Sequence, residues 1–256
     1  MWRVKFYISA QSAIHRHPKL HRWIRKSSLF RTLVPVVFNL DRSFSDRQYM
    51  TQHILPALAS QKVPRVLFVG CKAYTARYGK RLIRAGVDYW TTDINPAAAI
   101  WGEKDHHIIS DIAKIDDVCP AESFDAVLLN GVIGDGVDDE SEMNRAVTAI
   151  ARILRPSGML LIGWDALKKH PDPIGIEAVT TYFRHESVLS LPVRKIFVDT
   201  DKVYDWLIKT QSPPAGRNVR RCWYANSSYS RKCWANYAIS CPFLCSGWTP
   251  TTTACS

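Results

Sequence analysis

Between residues 64 and 210, short apolar runs alternate with amphipathic stretches. This pattern limits the possible folds more than any other feature of the chain. Arg65-Val-Leu-Phe-Val-Gly70 is β-rich and almost wholly apolar, and it is stopped by glycine. A run without a polar face predicts a strand covered on both sides, as in a parallel sheet flanked by helices. Val87 to Asp93, His107 to Ser110, Phe124 to Leu129 and Met159 to Gly163 repeat the signal, with Asn130-Gly131 stopping the fourth. A helix is predicted after Gly70, with Tyr74, Tyr78 and Leu82 on one face and Gly86 as its C′ residue. Asp139 is the predicted cap of another helix, with Glu142 three residues on and Met143, Val147, Ile150 and Leu154 facing inward. Arg155-Pro-Ser-Gly158 stops it. A helix around Gly175 to Phe183 and two weaker strands, Glu186 to Leu191 and Lys202 to Lys209, complete the series. The expected class is α/β: a doubly wound, mostly parallel, seven-stranded sheet with a ligand crevice at the strands' carboxyl ends.

Charge and cysteine divide the chain the same way. The 256 residues carry 34 Lys+Arg and 23 Asp+Glu, a net +11. Residues 1–47 account for +8 and residues 213–256 for +5, so the body between them is −2. A basic excess confined to two ends argues against a nucleic-acid groove across the body. Three segments are expected: a basic helical N-terminal extension (1–61), the α/β domain (62–212) and an irregular tail rich in Cys, Trp and Ser (213–256). In the first, Leu20, Trp23, Ile24 and Ser27 share a helical face beside Arg22, Arg25 and Lys26. Such a helix suits a lid over the crevice first and contact with a membrane surface second. Its composition also resembles that of an organellar transit peptide. Five of seven cysteines lie in the tail without a C-x-x-C pair, and Met1 to Ala10 lacks a continuous apolar core. Thiols in a reducing, cytoplasmic setting are therefore expected, with no metal.

The predicted carboxyl ends gather Gly70-Cys71, Asp93, Asp111, Asn130-Gly131 and Trp164-Asp165. Asp93, 23 residues after Gly70, is placed to accept hydrogen bonds from vicinal ribose hydroxyls. It also suits an Asx turn before Asn95-Pro96. Asp111 suits either an adenine amino group or a helix N-cap. Cys71 reads as a small buried residue, because no neighbouring His supports a nucleophile. Asp135, Asp138, Asp139 and Glu140 with Asp165 are conceivable metal ligands, but capping and solvated charge explain them more simply. His170 and Asp165 are the only candidate catalytic bases, and catalysis need not require one.

In these residues the chain resembles the class I, Rossmann-like S-adenosylmethionine-dependent methyltransferases. The resemblance spans about residues 62–210. It rests on Val-Leu-Phe-Val-Gly-Cys (66–71), Thr-Thr-Asp-Ile-Asn-Pro (91–96), Ile-Ile-Ser-Asp-Ile (108–112), Phe-Asp-Ala-Val-Leu-Leu-Asn-Gly (124–131) and Ile-Leu-Arg-Pro-Ser-Gly-Met-Leu-Leu-Ile (153–162). It implies S-adenosylmethionine as cofactor, with Gly70 and Cys71 facing its methionine part and Asp93 with Ile94 at the ribose. Asp111 and Ile112 would face the adenine, and Asn130-Gly131 would lie beside the sulfonium. The family's G-x-G-x-G loop is altered here, with Lys72 and Tyr74 at the later glycine positions. A remodelled loop is expected, in which Lys72, Tyr74 or Thr75 contributes contacts. The implied activity is methyl transfer to oxygen or nitrogen of a small-molecule or glycan- or lipid-linked acceptor. The alternatives are a degenerate binding module and, less favoured, a nucleic-acid methyltransferase.

Overall fold

A computed structural model describes residues 44–167 and 170–213. The expected N-terminal amphipathic face, Lys168-Lys169 and all but the first residue of the expected tail lie outside these residues. The five apolar runs form β1 (Arg65–Val69), β2 (Asp88–Asp93), β3 (His107–Ile109), β4 (Phe124–Asn130) and β5 (Leu154–Asp165). Three further strands follow, β6 (Phe183–His185), β7 (Arg194–Phe197) and β8 (Lys202–Lys209). The sheet runs β3-β2-β1-β4-β5-β8-β6, with β7 paired to β8. The first five strands are parallel and β8 is antiparallel to β5. The strands β6 and β7 divide one edge of β8 between them, so eight strands make a sheet seven strands wide. The order reverses between β1 and β4, which places a topological switch point at Gly70 and Asn130.

Strand alternation sends successive side chains to opposite faces. Val66, Phe68, Leu128, Leu161, Tyr204 and Trp206 turn to one face, where they pack with Met50, Ile54, Leu58, Tyr78 and Leu82. These partners come from α1 (Ser45–Tyr49), a π-helical turn at Met50–Ile54, α2 (Leu55–Ser60), the turn before α3, and α3 (Gly79–Arg84). The segment preceding the sheet thus covers this face. On the opposite face lie α4 (Glu140–Ile153), the 3-10 turn Ile112–Asp117 and α5 (Glu177–Tyr182). The Asp139 cap forms as expected, with its Oδ1 accepting from Glu142 N–H at 2.7 Å. Met143, Val147, Ile150 and Leu154 are all fully buried. At the end of α3, Val87 N–H donates to Leu82 O and Gly86 N–H to Ile83 O, the bonding pattern of a Schellman cap.

Two expected elements differ. The helix predicted from Gly70 onward begins only at Gly79. The spacing of Tyr74, Tyr78 and Leu82 is helical, but Thr75 Oγ1 both accepts from Lys72 N–H (3.0 Å) and donates to Lys72 O (2.8 Å). That closed turn offers the backbone an alternative to the helix. The strand predicted at Glu186 to Leu191 is a turn, with Leu189 and Ser190 at φ +53° and +61°. Pairing moves instead to Phe183–His185 and Arg194–Phe197 on either side.

Candidate functional site

The crevice is built by the three loops leaving β1, β2 and β4. Gly70 adopts φ +89°, and a Cβ there would lie 3.0 Å from Asn130 O. A side chain at this point would be strained by the backbone conformation and would press on that carbonyl. The chain turns sharply, and Cys71 N–H donates to Asp93 Oδ2 at 2.8 Å. Asp93 Oδ1 accepts from Asn95 N–H at 2.8 Å. Asp93 thus forms the expected Asx turn and also ties the ends of β1 and β2 together. A carboxylate has about four acceptor positions, so roughly two remain open. Ile94, the next residue, is 68% exposed, an apolar platform beside that carboxylate. Asn95 then caps the 3-10 turn Pro96–Trp101 through Ala97 N–H.

The neighbouring positions are less open. Asp111 caps the turn Ile112–Asp117, its Oδ1 accepting from Ala113 N–H at 3.0 Å, and Ile112 is buried. Thr75 is buried, with its hydroxyl occupied by Lys72. Burial, reinforced by Asp93, pushes the Cys71 thiol up to about 12, so it stays protonated and is no nucleophile. Lys72 reaches across the mouth to Asp135 at 3.6 Å, joining the β1 and β4 loops. Tyr74 lies beneath the Arg47 guanidinium, 3.8 Å from its ring centroid. No helix starts at residues 70–75, where the N–H groups of Cys71, Lys72 and Thr75 are taken up by Asp93 and by the turn itself.

At the end of β4, Asn130 is 8% exposed and Gly131 follows at φ +69°. One strand over, a Cβ on Gly163 would lie 2.4 Å from Asn130 Oδ1 and 2.9 Å from the Tyr204 ring. Glycine at 163 therefore lets the Asn130 amide and the Tyr204 ring approach over β5. The two candidate bases are engaged elsewhere. Asp165 accepts from Lys202 Nζ at 3.2 Å and from Leu167 N–H at 3.2 Å. His170 places Nδ1 against Pro171 O at 2.9 Å, with its ring against Trp164. Asp135 pairs with Lys72 and Asp139 caps α4, and among the described residues no three His, Cys, Asp or Glu group into a metal site.

Residues missed from sequence complete the surroundings. Asp46 is 7% exposed at the start of α1. Its charge acts on Tyr74 and Tyr204 and is itself influenced by Lys202 and Asp199. Asp46 is one of two acids in the basic first 47 residues, the only sequence signal that marked it. Asp205 is fully buried on β8 and accepts from His185 Nε2, Arg194 Nε and Trp164 Nε1 at 2.8, 2.6 and 2.8 Å.

Residues 67–162 match a family described as a methyltransferase domain. The chain is similar to the N-methyltransferase NodS from Bradyrhizobium japonicum, at 18% identity over 65% of this chain and 97% of that one, with a TM-score of 0.50. It is also similar to a TehB-like SAM-dependent methyltransferase from Corynebacterium glutamicum, at 18% identity over 61% and 86%, TM-score 0.48. A third similarity is to the Burkholderia thailandensis 1,6-didemethyltoxoflavin-N1-methyltransferase, at 15% identity over 76% and 91%, TM-score 0.47. No protein of curated function matches the chain. The NodS likeness is one of fold, and the matched family segment runs from β1 into β5, across the whole crevice. The segment similar to a methyltransferase domain thus lies on a Rossmann-like sheet order, with the loops leaving β1, β2 and β4 inside it.

Proposed function

We propose that the crevice binds S-adenosylmethionine and that the chain methylates oxygen or nitrogen of a small-molecule or glycan- or lipid-linked acceptor. The observation that carries this reading is Asp93, a carboxylate at the tip of β2 with acceptor capacity left after its two backbone bonds. Vicinal hydroxyls suit that capacity, and exposed Ile94 suits the flat face of a purine. Asp111, whose cap uses Oδ1, follows β3 at the same end of the sheet. Gly70 and Cys71 shape the wall for the methionine part, and Asn130-Gly131 shapes the opposite wall. The cofactor, when bound, supplies an electrophilic methyl group on sulfur. The residues of the chain hold and orient the two partners, and methyl transfer depends chiefly on that positioning. His170 and Asp165 are not assigned a catalytic role.

The basic N-terminal segment serves in this reading as a lid, or as a peripheral contact with an anionic membrane surface in the cytoplasm. Among the described residues no helix is long and apolar enough to cross a membrane. The Lys72–Asp135 pair favours one competing reading, a binding module that retains the fold without turnover. Incubating the protein with methyl-labelled cofactor and fractionated cell extract separates these possibilities. The proposal predicts label in the small-molecule or lipid-soluble fraction. Label confined to nucleic acid, or no transfer despite cofactor binding, contradicts it.

A further inference from the structure

A cleft of about 350 Å³ lies between the helical segment that precedes the sheet and the segment that follows β1. That volume falls within the ~300–1,000 Å³ of small-molecule pockets. Arg47, Thr51 and Leu55 line one wall at intervals of four residues, and Arg77 and Arg81 repeat the interval on the other. Tyr74 and Tyr78 complete the lining, so three guanidinium groups share one cleft and no acid lines it. Both Arg77 and Arg81 are exposed, and among the described residues neither guanidinium meets a carboxylate.

The two walls come from stretches without local compensation. Residues 71–87 hold five Lys or Arg and no Asp or Glu, and residues 47–64 hold two and none. Asp46 and Asp135, whose charges reach Tyr74, do not line the cleft. Like charges four residues apart repel, so packing does not account for the Arg77 and Arg81 pair. Arg47 is stacked 3.8 Å from the Tyr74 ring centroid, which holds its guanidinium in the lining. Tyr74 stands four residues after Gly70, so one wall of the cleft belongs to the loop that also shapes the crevice.

Guanidinium groups recognise phosphate and carboxylate through paired N–H donors. A phosphate monoester carries a charge of about −1.5 to −2 and three acceptor oxygens, enough for two guanidiniums and the Thr51 hydroxyl. A carboxylate brings one charge and two oxygens, and leaves such a cleft under-neutralised. The Tyr74 and Tyr78 rings and Leu55 give the body of a ligand an apolar seat. We infer that this cleft is the subsite for a phosphate group carried by the methyl acceptor. The inference rests on the methyltransferase reading and narrows its acceptor to phosphate-bearing molecules, whether soluble esters or lipids with a phosphate headgroup.

The test uses the full chain with and without saturating S-adenosylhomocysteine. Phenyl phosphate is followed by ligand-observed NMR, and phosphatidylcholine vesicles with and without phosphatidic acid by co-sedimentation. Phenyl phosphate should bind in the millimolar range, at least about tenfold more tightly than benzoate or phenol. Arg77→Gln combined with Arg81→Gln should weaken it by roughly tenfold or more. Lys80→Gln combined with Arg84→Gln, in the same segment but outside the cleft, should not, and neither pair should change S-adenosylhomocysteine binding. Binding of phenyl phosphate that depends on Arg77 and Arg81 supports the subsite with a soluble ester as its source. The same dependence confined to phosphatidic acid vesicles supports it with a headgroup as the source. Equal binding by wild type and the Arg77/Arg81 variant overturns the subsite, as does equal weakening in the Lys80/Arg84 variant. No preference over benzoate, or no binding of either probe, also overturns it. Displacement of phenyl phosphate by S-adenosylhomocysteine would assign the cleft to the cofactor's own carboxylate and overturn it too. Failure of wild type to bind S-adenosylhomocysteine strikes the methyltransferase reading instead, while phenyl phosphate bound in its absence would leave the phosphate site standing.

Discussion

Replacing Asp46 with Asn should make the protein more stable, increasingly so as pH rises. Asp46 is 7% exposed, and burial lifts its carboxyl from 3.8 to about 6. The folded state thus holds a proton between those values that the unfolded chain releases. Stability falls with pH wherever the folded state binds more protons, so the wild type loses stability as pH climbs through that window. The rise from 3.8 to about 6 corresponds to ~3 kcal/mol across the full window. Between pH 4.5 and 8, about 2 kcal/mol of it falls within reach of experiment. Asn has the same shape and no titration, so the difference between the two proteins isolates this group. For a chain of this size about 2 kcal/mol corresponds to roughly 4–8 °C. Melting curves of both proteins at half-unit steps should show the Asn variant gaining that margin from pH 4.5 to pH 8. A difference that stays flat, or that shrinks as pH rises, refutes the claim that burial holds a proton on the Asp46 carboxyl.

Gly163→Ala drives a Cβ to 2.4 Å from Asn130 Oδ1 and 2.9 Å from the Tyr204 ring. Overpacking of that kind should cost about 1–3 kcal/mol, read as a lower melting temperature, and should weaken cofactor binding by moving Asn130. An unchanged variant would show that Asn130 and Tyr204 are not held by this contact. Asp205→Ala leaves His185, Arg194 and Trp164 without their shared acceptor and should cost about 3–5 kcal/mol in chemical denaturation. A loss under about 1 kcal/mol would mean that the network is solvated rather than buried.

The sheet was legible because its strands are buried on both faces. Val66 to Val69 and Ala126 to Leu129 leave no polar residue to support another reading, and Gly70 and Asn130-Gly131 mark their ends. The Asp139 cap and Gly86 were equally plain, since both rest on local hydrogen bonds. The misread elements fail for local reasons as well. Tyr74, Tyr78 and Leu82 keep helical spacing across a turn closed by the Thr75 hydroxyl. Val188 and Leu191 look like strand residues around a tight reversal. Of the site, Asp93 and Asn130 were visible because they stand at strand ends. Asp46, Asp205 and Tyr204 were not, because their environments arise from residues more than a hundred positions away or across strand pairings that no local pattern encodes.

The central claim is that the Gly70–Asp93–Asn130 crevice holds S-adenosylmethionine, and calorimetric titration of wild type and Asp93→Ala with S-adenosylhomocysteine tests it most directly. The wild type should bind one equivalent with a dissociation constant below about 100 μM. Asp93→Ala removes charge-assisted bonds of about 1.5–3 kcal/mol each and should weaken binding by at least roughly tenfold. No heat of binding by folded wild type, or equal affinity in the two proteins, contradicts the account.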